Sequence, residues 1–242
     1  MPGNLIERGL DGPVAILRLN RPAQRNAMDT AMLELLLGAL DVARGDTAVR
    51  ALVLSTTSTE ALSAGADLGE QVDHGGAVHR MNLFARFYEA VVDFPKPTVA
   101  VCVGATVGGG AEMAAGCDVR IAGDNLGLRF PGAAIGVPVG PARLTPLVGP
   151  TVALDWLLSS RTVGAEEARD AGFVSRIVTP EQAEGAAVEW AQAAAGFDPR
   201  VVHELRAAVR GLAGMSNMTR AENARLRMWQ VQAAGPPQYP TR

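Results

Sequence analysis

A chain of 242 residues, 48% apolar and 19% charged, has enough material for one well-buried core and lies far from the disordered class. Its formal charge of −3, with acids and bases interspersed, offers no electrostatic footprint for nucleic acid or an anionic membrane. No apolar run approaches the roughly 18 to 20 residues of a membrane span, and Met1-Pro2-Gly3-Asn4 has no signal pattern, so a cytoplasmic location is expected.

In chain order, residues 14–19 form a short apolar run read as a strand, and Asn20 to Asn26 a Pro-punctuated turn. Met32, Leu33, Leu36, Leu37 and Leu40 recur at helical spacing, with Asp29 placed to cap them. Residues 51–54 suit a buried strand and 78–92 a helix ended by Phe94-Pro95-Lys96-Pro97. A β-branched strand over 98–103, a glycine-rich turn over 104–110, a helical stretch over 111–115 and a strand over 119–122 follow. This alternation predicts an α/β fold assembled from βαβ units, with no internal repeat visible. Beyond 180 the pattern is helical: 180–196, 199–212 and 217–233. Thr179-Pro180-Glu181-Gln182 reads as a capping box, and Asp198-Pro199 as a second start. The chain thus divides into a core over 1–180 and a helical region over 181–242 suited to oligomer packing.

Two glycine-containing loops concentrate the chemistry, Ser63 to Leu68 and Gly104 to Glu112. The second lacks the Gly-Lys-Ser/Thr of a phosphate loop and the spacing of a dinucleotide fingerprint, and Ser63 has no glycine two residues before it. Cys102 and Cys117 have no partner at metal-ligand spacing, and His74, His79 and His203 form no cluster. No metal or resident cofactor is expected. Backbone chemistry is left. Gly109, where a strand hands over to a helix, offers an unpaired N–H inside the positive end of the helix dipole. Glu112 lies one turn on, on the same face. A carbonyl oxygen on that N–H would let Glu112 move an α-proton while the enolate is stabilised. Taken alone, the same residues also fit a tight connection with an acid that complements the helix dipole.

Several segments, in this order, resemble the crotonase superfamily, the enoyl-CoA hydratase/isomerase family: Leu19-Asn20-Arg21-Pro22, Arg25-Asn26-Ala27-Met28, Ser63-Ala64-Gly65-Ala66-Asp67-Leu68 and Pro95-Lys96-Pro97-Thr98. Gly108-Gly109-Gly110-Ala111-Glu112, Cys117-Asp118-Val119-Arg120 and Ala171-Gly172-Phe173-Val174 continue the series. The resemblance implies a ββα-spiral core, a homotrimer or homohexamer, and an acyl-CoA substrate in which coenzyme A is part of the substrate. It assigns the oxyanion hole to the N–H groups of Ala66 and Gly109. The CoA would lie along Ser63, Ala64, Gly65, Asp67 and Leu68, with Arg25 and Ala27 nearby. Glu112 matches the first of two glutamates that a family hydratase uses.

The pattern departs from the family at three places. Gly132 stands where the second glutamate belongs, and no Asp or Glu occurs between Asn125 and Leu154. The loop from Pro138 to Arg143 is short. About one helix is absent near Glu222-Asn223-Ala224-Arg225 and the tail Pro236-Pro237-Gln238-Tyr239. Two expectations follow. One is an acyl-CoA enzyme working through an enolate with Glu112 as its single carboxylate, a decarboxylase or hydrolase included. The other is an acyl-CoA-binding protein with little or no hydratase activity, because Gly132 replaces the second acid.

Overall fold

The computed structural model describes residues 4–233, so the segment Pro236 to Tyr239 lies outside the described residues. Strands β1 (Ile6–Asp11) and β2 (Val14–Leu19) form an antiparallel hairpin. β2 then pairs in parallel with β3 (Ala51–Thr56), and β3 with β5 (Thr98–Cys102), β7 (Val119–Gly123) and β9 (Arg176–Val178) in turn. A second, three-stranded parallel sheet joins β4 (Ala61–Ser63), β6 (Ala105–Val107) and β8 (Gly127–Arg129).

The chain passes between these sheets in a repeating unit of long strand, short strand and helix. β3 and β4 lead to α2 (His74–Val92), and β5 and β6 to α3 (Gly109–Gly116). β7 and β8 lead to α4 (Pro141–Ser159), which is broken at Gly149. This is the expected ββα spiral. The repeat escapes the sequence because each second strand is three residues long inside a segment that reads as turn; 104–110 contains β6. β1, β9 and α4 were also missing from the sequence pattern, α4 because Pro146 and Pro150 interrupt it.

Side chains alternate across the large sheet, as the two-residue period of a strand requires. Val14, Ile16, Ala51, Val53, Val99 and Val101 face one apolar cluster. Ala15, Leu17, Leu52, Leu54, Ala100 and Cys102 face the other. Burial on both faces explains why these strands read as continuous apolar runs. After the short α5 (Ala165–Asp170), helix α6 (Ala183–Gly196) covers the first face with Ala183, Ala187, Val188, Ala191 and Ala195. The other face lies under α1 (Thr30–Gly45), whose N-cap is Asp29, accepting from the Met32 N–H at 2.8 Å. Thr179 makes no side-chain cap: Pro180–Gln182 is a 3-10 turn that precedes α6. Of the last helices, α7 (Pro199–Ala213) buries no residue, whereas α8 (Met215–Gln232) buries Met215, Thr219, Glu222, Asn223, Leu226 and Gln230. Asn223 ties α8 to α2 by donating to the Ala85 carbonyl at 2.8 Å. Among the described residues no helix is long and apolar enough to cross a membrane.

Candidate active site

The loop after β4 is held from beneath by backbone and small polar side chains. The Ser63 hydroxyl donates to the Asn26 carbonyl at 2.7 Å and accepts from the Gly65 N–H at 3.0 Å. The Ala64 N–H donates to the Arg25 carbonyl, the Met28 N–H to the Gly65 carbonyl and the Asp67 N–H to the Met28 carbonyl. Asn26 is fully buried and donates to Thr56 and to the carbonyls of Ala61 and Leu62. The N–H groups of Gly65 and Asp67 on either side of Ala66 are thereby used, and that of Ala66 has no partner among the described residues. Gly65 makes the geometry feasible. Its φ is +93°, and a Cβ there would lie 2.9 Å from the Val107 carbonyl oxygen and 3.3 Å from the Gly109 nitrogen. The loop therefore abuts the start of α3, where Gly109, as first helical residue, also has an N–H without an acceptor.

Ala66 and Gly109 both line one cleft, together with Leu68, Met81, Phe84, Tyr88 and Glu112 among others. Glu112 is its acid. The carboxylate is 1% exposed, and Arg143 donates through Nε to its Oε2 at 2.7 Å. Burial pushes Glu112 up to about 7, Arg143 opposing and the nearby Glu222 carboxylate reinforcing the rise. Arg143 is itself fully buried, stacked 4.4 Å over the Tyr88 ring, and donates from Nη2 to Glu222 Oε1 at 2.7 Å. One guanidinium thus serves two buried carboxylates, which leaves the group one negative charge in excess. A proton on Glu112 would remove it.

The structure separates the candidate residues into cleft and frame. Ala64, Gly65, Ala66, Leu68, Gly109 and Glu112 line the cleft. Ser63 lies fully buried beneath the loop. Asp67 is paired with Arg21 at 2.6 Å, and its carboxyl lies low because Arg21 and the Gly69 N–H outweigh burial. Arg25 adopts a left-handed φ of 49° and holds the loop through its carbonyl, while the Ala27 carbonyl accepts from Arg21. The sequence did not mark Arg143, Tyr88 or Glu222. Arg143 lies in an apolar stretch with no acid near it in the chain, and its partners come from two other helices.

Gly132 is packed rather than vacant. A Cβ there would meet the Val137 carbonyl oxygen at 2.5 Å and Val139 Cγ1 at 3.2 Å. The Gly132 carbonyl accepts from the Val137 N–H at 2.8 Å, so the short loop has folded back over this position. Among the residues lining the cleft, Glu112 is the one carboxylate.

The fold agrees with that of related chains. Residues 10–234 match the family model described as enoyl-CoA hydratase/isomerase. A Thermus thermophilus relative bearing the enoyl-CoA hydratase name is 40% identical over 192 residues, 76% of this chain and 74% of its own. The 2,3-dehydroadipyl-CoA hydratase of Escherichia coli is 32% identical over 200 residues, 81% of this chain and 78% of its own. The crystal structure of an enoyl-CoA hydratase/isomerase from Xanthobacter autotrophicus Py2 superposes with a TM-score of 0.84 at 28% identity, covering 97% and 89% of the two chains. The chain belongs to the enoyl-CoA hydratase/isomerase family, the crotonase superfamily.

Proposed function

We propose that the protein acts on acyl-CoA thioesters by stabilising an enolate, with Glu112 as the group that carries the α-proton. The observation that supports this most directly is the convergence of two unpaired backbone N–H groups, Ala66 and Gly109, with a buried carboxylate on one cleft. A thioester oxygen between the two donors would gain charge as the enolate forms, in a site too apolar to screen it. With its midpoint at about 7, Glu112 can both take and return a proton near neutrality. CoA would run along the Ser63 to Leu68 loop where Ala64, Gly65, Ala66 and Leu68 line the cleft, with Arg25 and Ala27 in the frame behind it, and the acyl chain would enter the apolar wall of Met81 and Phe84.

Reactions that need one acid/base group fit this cleft better than the addition of water, which needs a second group to activate the water. The packing at Gly132 favours this division, and it equally favours an acyl-CoA binder with little hydration. A panel of enoyl-, hydroxyacyl- and malonyl-type CoA esters, assayed for turnover with affinity measured in parallel, separates the two. Turnover that Glu112→Gln removes supports the enzyme. Tight binding with no turnover of any ester supports the binder.

A trimer or hexamer is part of the same proposal. Helix α7 leaves Val201, Leu205 and Val209 exposed along one stripe, a face that a second copy would cover. Sedimentation at micromolar concentration that finds a monomer alone would remove this part.

A further inference from the structure

We infer that Arg143 and Glu222 are positioning residues for Glu112: the shared guanidinium fixes one oxygen of the acid, and the second carboxylate governs its protonation. The inference rests on Glu112 being the acid of the cleft, and it makes the C-terminal helix part of the acid/base apparatus.

The geometry is specific. Arg143 holds Oε2 of Glu112 by Nε, while Oε1 takes no hydrogen bond among the described residues. That oxygen lies 2.8 Å from where a Cβ would stand on Gly140, so the start of α4 admits the acid because it is glycine. Glu222 does two things from α8. It accepts from the N–H groups of Gly140 at 3.3 Å and Ala142 at 2.9 Å, capping α4, which has no local side-chain cap. It also occupies Nη2 of Arg143. A buried arginine with a single carboxylate would hold that carboxylate ionised. Divided between two, it leaves one of them able to take a proton at moderate pH.

The groups around Glu112 are few. Arg143 faces it from α4, and Glu222 acts on it from α8. Tyr88 lies nearby on α2, its phenol kept neutral first by burial and then by the Glu112 carboxylate. β4 and β6 carry no ionisable residue. Cys102 on β5 is a thiol that burial pushes up to about 12, with the Arg120 guanidinium opposing the rise.

The test is an NMR titration of protein labelled with 13C at the glutamate carboxyl, Glu112 being assigned by its loss in Glu112→Gln. In Glu222→Gln the guanidinium serves Glu112 alone, so its midpoint should fall by roughly one pH unit. In Arg143→Gln it should rise instead. Opposite shifts in two folded variants are beyond what loosened packing would give. Where Arg143→Gln does not fold, the near-isosteric Glu222→Gln decides by itself. A midpoint that stays or rises in folded Glu222→Gln overturns the inference. The titration needs no substrate, so an ester panel without turnover would remove the proposed reaction and leave this result standing.

Discussion

Helix α3 has a buried arginine at each end, and the two ends are finished differently. At the C-terminal end Arg120 donates to the carbonyls of Ala114 at 3.2 Å, Cys117 at 2.9 Å and Phe173, and stacks over the Phe173 ring. Those acceptors include carbonyls that a helix leaves unpaired where it stops. Beside it Asp118 accepts from the Thr98 N–H and from Arg206 and Arg210 of α7. The N-terminal end, by contrast, keeps the Gly109 N–H unpaired, Nη1 of Arg143 without a partner, and a carboxyl raised to about 7. Both ends bury an arginine on an aromatic ring, so burial of charge does not mark function here. Incomplete satisfaction distinguishes the two ends, because an unpaired buried group costs stability unless something else, such as a ligand, completes it.

The largest expected effect tests the open end. Glu112→Gln should lower turnover of whichever ester the protein accepts by about 10²- to 10⁴-fold, with CoA-ester affinity little changed. Equal turnover in the folded variant would leave the cleft without its acid. Arg120→Met tests the closed end with the opposite pattern. It strips donors from three buried carbonyls and should cost roughly 3 kcal/mol or more in denaturant unfolding. Turnover per folded molecule should hold; a selective loss of turnover would erase the contrast between the ends.

Gly132 supplies a smaller effect and a sharper point. Were it an empty place for an acid, Gly132→Glu would add a second carboxylate and raise hydration of crotonyl-CoA. Its Cβ instead meets the backbone of Val137, so the substitution should cost about 1 to 3 kcal/mol and bring no gain in hydration. A gain of tenfold or more would show that the loop yields and that the missing acid alone limits the reaction.

What the sequence revealed and what it hid have physical causes. The inner strands β2, β3, β5 and β7 of the large sheet and the cap at Asp29 were legible because burial on both faces and side-chain capping are local patterns. Ala66 was not derivable from its residue type, since the role proposed for it lies in a main-chain N–H, and the order of motifs carried it; Gly109 could be read from its place where a strand hands over to a helix. β4, β6 and β8 are too short for a period to form. Arg143 and Glu222 stand 79 residues apart, and their bond exists only once α8 has packed beside α4. The departure at Gly132 was visible as a missing acid, yet not as a filled space, because Val137 and Val139 close over it through loop geometry.

The smallest effect separates the ends by pH. Asp118 lies low: burial raises it, but Arg210 and Arg206 outweigh that. A carboxylate whose folded value is depressed contributes stability above its ordinary value of 3.8, which is lost as pH falls through the folded value. Glu112 is the reverse. Its folded value of about 7 stands above the ordinary 4.5, so its contribution is complete below 4.5 and is lost as pH rises through 7. Between pH 5 and pH 8 the Asp118 term is therefore constant and the Glu112 term falls. Thermal midpoints of the wild type should drop across that interval, and Glu112→Gln should flatten the drop. Asp118→Asn should instead lower the midpoint at both pH values alike, by about 2 to 4 °C for a loss near 1 kcal/mol in a chain of this size. It should leave the pH dependence of turnover where it was, since α7 touches no residue of the cleft through Asp118. A drop that persists in Glu112→Gln, or that vanishes in Asp118→Asn, would place the neutral titration at some other group and dissolve the difference between the two ends of α3.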